Sequence, residues 1–150
     1  MGHGCSRVGP MTIICALNDR GAAWIGSDTR TSQGTNALQF GHKWLLDPDG
    51  YWAIGCVGPA RGAYLAELNQ LDMFGAGSAH EIAHIWREVV AEDGGVASRN
   101  ESQTDAIDIG GIVASPDGIW LIGPDFAAFT VPNGRFCAEG AGAACAYGAA

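Results

Sequence analysis

Between Met11 and Thr31 the chain reads MTIICALNDRGAAWIGSDTRT, and this stretch constrains the fold more than any other. Thr12-Ile13-Ile14-Cys15-Ala16-Leu17 is a β-branched, apolar run, Asn18-Asp19-Arg20-Gly21 interrupts it, and Ala22 to Ser27 resumes it. Two such runs around a short polar break predict an antiparallel hairpin. In that arrangement the start of one strand lies beside the end of its partner. A hydroxyl, Thr12, is therefore brought near a carboxylate, Asp28, with Arg30 just beyond. Thr12 becomes a candidate nucleophile, because a threonine hydroxyl becomes reactive only beside a group that can take its proton.

The remaining elements follow in blocks. Thr31 to Gly41 is a polar, Gly-containing stretch expected to be a loop. Lys43–Leu46 and Tyr51–Val57 read as strands around the turn Asp47-Pro48-Asp49-Gly50. Pro59 suits the first turn of a helix, and Ala63, Tyr64, Leu65, Leu68 and Leu71 predict that helix from Ala60 to Met73. Ser78 can cap a second helix from Ala79 to about Glu92, with Ile82, Ile85, Val89 and Val90 as its apolar stripe. Asp93 to Asp105 reads as a polar loop. Strands resume at Ile107–Ala114, Gly118–Ile122, Phe126–Val131 and Phe136–Glu139, and a last helix begins after Gly140-Ala141-Gly142. Strand blocks and helix blocks are segregated, which predicts an α+β fold with sheets and helices in layers. Tyr51, Trp52, Trp86, Trp120 and Phe126 fall in these patterns and are expected in the core. Asp105 and Asp108 are read as a solvated strand edge.

Composition narrows the function classes. At 150 residues, 47% of them hydrophobic, the chain is one domain with enough apolar surface for a core. The net charge of −8, with eight scattered basic residues, argues against nucleic-acid binding. No apolar run approaches the roughly 20 residues of a membrane span, so no membrane association is expected. Five cysteines without C-x-x-C spacing predict neither a disulfide framework nor a zinc ribbon, and a reducing, cytoplasmic setting.

Taken in order, Met11-Thr12-Ile13-Ile14, Ser27-Asp28-Thr29-Arg30-Thr31, Lys43, Gly55-Cys56-Val57-Gly58 and Gly140-Ala141-Gly142 resemble the proteasome β-subunit family. That family includes the bacterial ATP-dependent peptidase subunit and the ancestral bacterial β-type proteins. The resemblance covers residues 11–150, leaving residues 1–10 as a tail, a propeptide, or sequence upstream of a true start at Met11. It implies a four-layer αββα sandwich of N-terminal-nucleophile type, incomplete at the C-terminus because family chains continue for several tens of residues.

The same resemblance implies roles for individual residues. Thr12 would be the terminal residue after processing, with its hydroxyl as nucleophile and its own α-amine as base. Such an amine has a reference pKa of about 7.7–8.0, so a useful fraction is neutral at physiological pH. Asp28 matches the family's strand-end aspartate and Arg30 the position two residues on. Lys43, the only lysine in the chain, matches the active-site lysine if the preceding loop is one residue shorter. Gly58 matches the glycine whose backbone N–H serves the oxyanion. The family also implies a peptide or unfolded-protein substrate, a homo-oligomeric ring, an ATPase unfoldase partner and no cofactor. Two positions depart from the pattern. Ala141 stands where the family usually carries serine. Met11 stands where self-processing members carry glycine, so exposure of Thr12 calls for an aminopeptidase acting on a chain begun at Met11.

A second motif points elsewhere. His80-Glu81-Ile82-Ala83-His84 is H-E-x-x-H on an expected helix, which puts two histidines on one face and a glutamate beside them as a base. A zinc peptidase of this kind needs a third ligand, for which Glu101 and Asp105 are the candidates. The competing reading is the polar face of a surface helix opposite Ile82, Ile85 and Val89. An inactive proteasome-like fragment is the non-enzyme alternative.

Overall fold

The computed structural model describes residues 12–33, 36–39, 43–58, 60–93, 98–99, 105–106 and 109–149. The expectations for residues 1–10, Met11, Pro59, Glu101 and Asp108 lie outside the described residues. Strands β1 (Ile14–Asp19) and β2 (Ala22–Ser27) form the expected hairpin, with Ile14 opposite Ser27 and Asp19 opposite Ala22. Arg20 and Gly21 turn the chain with φ of 52° and 77°. Positive φ at both central residues is the type I′ geometry that matches strand twist.

Arg30–Gln33 and Asn36–Gln39 form a further hairpin, β3 and β4, where a loop was expected. Polar composition suggested the loop, yet residues such as Thr31 and Leu38 suit a strand, and pairing within the hairpin satisfies its backbone. Strands β5 (Trp44–Leu46) and β6 (Ala53–Val57) follow, then helices α1 (Ala60–Leu68), α2 (Gln70–Phe74) and α3 (Ala79–Glu92). The single helix expected over Ala60–Met73 is broken at Asn69, whose side-chain amide and backbone N–H both donate to the Leu65 carbonyl, at 2.8 and 3.2 Å. Asparagine competes with helical bonding in this way. The polar segment after α3 contains a two-residue pairing of β7 (Ser98–Arg99) with β8 (Asp105–Ala106). Strands β9 (Gly110–Ser115), β10 (Gly118–Ile122), β11 (Ala128–Val131) and β12 (Phe136–Glu139) precede α4 (Ala143–Ala149).

Two antiparallel sheets carry the structure. One has the order β12-β1-β2, the other β11-β10-β9-β6-β5. Period-2 alternation assigns each strand's two faces to different partners. Ile54 and Cys56 of β6 and Val113 of β9 pack against α1, α2 and α3 through Leu65, Met73, Ile82, Trp86 and Val90. The alternate residues Val57, Ile112 and Ala114 meet Ile14 and Ala16 of β1, Trp44 of β5 and Cys137 of β12 between the sheets. On the far side of β12, the N–H of Ala138 donates to the Tyr147 hydroxyl of α4 at 2.9 Å, and Phe136 meets the Tyr147 ring edge-on. The layers therefore run helices, five-stranded sheet, three-stranded sheet, helix, which is the αββα sandwich of an α+β fold.

Trp52, Trp86 and Phe126 are buried as expected and Trp120 packs against the same cluster. Tyr51 is exposed instead, its hydroxyl bonded to Asp117 in the facing turn. Cys15, Cys56 and Cys137 are free thiols. Cys145 is disulfide-bonded, its partner lying outside the described residues, a single bridge where the cysteine spacing predicted no disulfide framework. Among the described residues, no helix is long and apolar enough to cross a membrane.

Candidate active site at the mouth of the sandwich

The first residues of β1, the end of β2 and the turn after β6 meet at one end of the two sheets. The pairing of β1 with β2 continues one step beyond the strands, because the Asp28 N–H donates to the Ile13 carbonyl at 3.2 Å. The Asp28 carboxylate returns the contact, accepting the Ile13 N–H at 2.8 Å. The same oxygen, Oδ1, accepts from Lys43 Nζ at 2.5 Å. Lys43 keeps only 12% of its side chain exposed and Asp28 25%, so the ion pair is largely shielded from water. A shielded charge-assisted bond holds its geometry better than an exposed one. It is anchored one peptide away from Thr12.

Thr12 is held from the other side by the segment after β12. The Gly142 N–H donates to the Thr12 carbonyl at 3.1 Å. Gly140 has φ of 103°, and a Cβ there would collide with that same carbonyl. Glycine is required at this position by conformation and by space. Thr12 shares its face of β1 with Ile14 and Ala16, the face that looks into the gap between the sheets.

That gap opens into a cavity of about 470 Å³ lined by Thr12, Val57, Gly58, Ile109, Gly110, Pro124, Glu139, Gly140 and Ala141. The volume suits one side chain or a short peptide segment. Gly58 is exposed in it with φ of 106°, between the end of β6 and the first turn of α1. Thr12 and Gly58 are thus brought to one cavity, while Asp28 and Lys43 meet beside it at the Ile13 peptide. The Arg30 backbone opens β3, and its side chain lies outside the described residues.

Glu139 was missed by the sequence reading, which treated it only as a strand end. Its register opposite Ile14 puts it on the face that carries Thr12. Desolvation raises its carboxyl above the ordinary glutamate value. A glutamate immediately before Gly140-Ala141-Gly142, in an otherwise apolar strand, was the available signal. The buried thiols Cys56 and Cys137 are not competing nucleophiles. Burial pushes Cys56 up to about 12 and Cys137 up to about 11, so both stay protonated.

The H-E-x-x-H motif lies elsewhere, with His80, Glu81 and His84 exposed on α3. Ser78 caps this helix by accepting the Glu81 N–H at 3.2 Å, and the Glu81 carboxylate accepts the Gly77 N–H at 2.7 Å. The glutamate is therefore engaged in closing the helix start, a reciprocal arrangement of the capping-box kind. Among the described residues, no three histidine, cysteine or acidic side chains gather in a way that could hold a metal ion.

This layering, with a threonine at the inner mouth of the first strand, is the proteasome β-type, N-terminal-nucleophile fold. BPH from Thiobacillus denitrificans shares it at a TM-score of 0.70 and 18% identity, over 92% of this chain and 76% of that one. HslV from Trypanosoma brucei matches at 0.61 and 16% identity over the same shares, 92% and 76%. Anbu from Pseudomonas aeruginosa, described as a helical assembly of the complex, matches at 0.61 and 18%, over 87% of this chain and 61% of that one. At these identities the likeness establishes the fold. No family model and no curated protein matches the sequence.

Proposed function

We propose that this chain is a threonine-type peptidase, an N-terminal-nucleophile hydrolase that cleaves peptide bonds through Thr12 within an oligomeric assembly. The observation that carries the reading is the Lys43–Asp28–Ile13 contact set anchored one residue from a threonine that lines a cavity. In the proposed mechanism, removal of the chain through Met11 frees the Thr12 α-amine. That amine takes the proton of the Thr12 hydroxyl as Oγ1 bonds to the substrate carbonyl carbon. The Lys43 ammonium nearby favours the neutral amine, since a like charge lowers its pKa. Asp28 keeps Lys43 in place. The Gly58 N–H receives the oxyanion, the carbon–nitrogen bond breaks, and the amine returns its proton to the departing peptide amine. Water then hydrolyses the Thr12 ester by the same proton route. Ala141 supplies no hydroxyl to steady the amine. Arg30, two residues beyond Asp28, belongs to the same end of the hairpin.

A homo-oligomeric ring acting on peptides or unfolded proteins, supplied by an ATPase unfoldase in the cytoplasm, completes the proposal. It is supported by the assembly named for Anbu and by the exposed apolar side chains Tyr64 and Leu68 of α1 and Leu71 of α2. N-terminal sequencing of the cell-made protein, paired with hydrolysis of fluorogenic peptides, tests the mechanism. The expected mature chain begins at Thr12, and Thr12→Ala and Lys43→Ala each lower kcat/KM by at least about 10²-fold. Full activity in Thr12→Ala, or cleavage by a chain that still carries Met11, would refute it.

A further inference from the structure

Glu139 is the one ionisable side chain among the described residues that line the Thr12 cavity. It stands opposite Ile14 in the β1–β12 register, and Thr12 lies two residues before Ile14 on the same face. Such diagonal neighbours across an antiparallel pair are about 7–8 Å apart at Cα. At that spacing both residues line the same cavity, the carboxylate on one wall and the threonine on another. Gly110 makes this placement feasible. A Cβ on Gly110 would fall 2.8 Å from both Cγ and Oε1 of Glu139, so the bare backbone of β9 is the surface over which the side chain lies. The carboxylate is half-buried, and among the described residues nothing donates a hydrogen bond or an opposite charge to it.

A shielded, unpartnered carboxylate in a substrate-sized cavity is complementary to a cation. We propose that Glu139 determines specificity in this site, selecting peptides that present a basic side chain, arginine or lysine, to the Thr12 cavity. This inference rests on the peptidase reading for the identity of the ligand. The other lining groups, Val57, Ile109 and Pro124, offer the aliphatic contact that a long basic stem uses. The net charge of −8 works in the same direction at longer range, drawing cationic peptides and repelling acidic ones.

The test compares two peptide series that differ only in arginine against citrulline, its uncharged near-isostere, at the residue before the scissile bond. One arm reads kcat/KM. The other reads direct binding of labelled, uncleavable peptides carrying the same two residues, by fluorescence anisotropy. In the wild-type protein the arginine peptide is expected to win by at least fivefold in each arm. In Glu139→Gln the ratio falls to near one, and Glu139→Asp, which keeps the charge, restores part of it. Melting curves confirm that each variant is folded. An arginine-to-citrulline ratio near one in the wild type, or one that persists in Glu139→Gln, overturns the proposal. Preferential binding without cleavage of either series defeats the peptidase reading and leaves the role of Glu139 standing.

Discussion

A carboxylate held half-buried without a partner costs the fold stability whenever it is charged, and among the described residues Glu139 has none. Desolvation raises its pKa in the folded state. The folded chain then binds this proton more tightly than the unfolded chain, so the contribution to stability falls as pH rises through the unfolded and then the folded pKa. The penalty is complete above the folded value and absent below the ordinary glutamate value of about 4.3. Glu139→Gln is therefore expected to melt at a higher temperature than wild type at pH 7, with the gap closing towards pH 4. Thermal melts of both proteins across that range check the sign, and a gap that widens on acidification contradicts it. At this scale the closeness of Asp28 to the Thr12–Ile13 segment was legible in the sequence, because hairpin pairing alone relates the end of one strand to the start of the other. Lys43 needed the family resemblance, since nothing local ties its loop to Asp28. Glu139 escaped because it reaches the site through the pairing of the first strand with the twelfth, a contact that no window of sequence displays.

Among the elements, α3 was the most legible. Ser78, the stripe at Ile82, Ile85, Val89 and Val90, and the boundaries Ala79–Glu92 all follow from capping and period. The same helix explains why its H-E-x-x-H motif is better read as helix chemistry than as metal ligation. Glu81 sits three residues after the cap and its carboxylate closes the helix start on Gly77. Ser78→Ala is expected to cost about 1 kcal/mol, and Glu81→Ala a similar or smaller amount, measured by urea denaturation with unchanged m-value. If α3 instead held a structural metal, chelation would destabilise the protein by far more than either substitution. The elements the sequence hid are those decided by competition rather than by pattern. Asn69 divides one apolar period into α1 and α2 through its own side-chain bond, and the β3–β4 hairpin forms from residues whose polarity suggested a loop.

At the scale of the molecule, the distance between the two sheets at the site end is set by a few side chains packed against bare backbone. Gly55 on β6 faces β1, and a Cβ there would sit 2.9 Å from Ile14 Cδ1 and 3.0 Å from the Trp44 ring. Trp44 cannot easily retreat, because its indole N–H donates to the Gly26 carbonyl of β2 at 3.0 Å. An added methyl must therefore displace the buried Ile14 side chain or push outward β1, which leads directly from Thr12 and Ile13. Gly55→Ala is expected to cost about 1–3 kcal/mol, the usual range for overpacking a filled core. Ile14→Val removes the Cδ1 atom that the new methyl meets, at an ordinary cost of about 0.5–1.5 kcal/mol. If the steric account is right, the double variant is less destabilised than the sum of the two, by about 0.5–1 kcal/mol, because one substitution makes the space the other needs. Urea denaturation of the four proteins in the cycle measures that coupling. Additive costs would mean that Trp44 alone sets the spacing. A positive coupling accompanied by partial recovery of the proposed peptidase activity would tie the packing between the sheets to the position of Thr12.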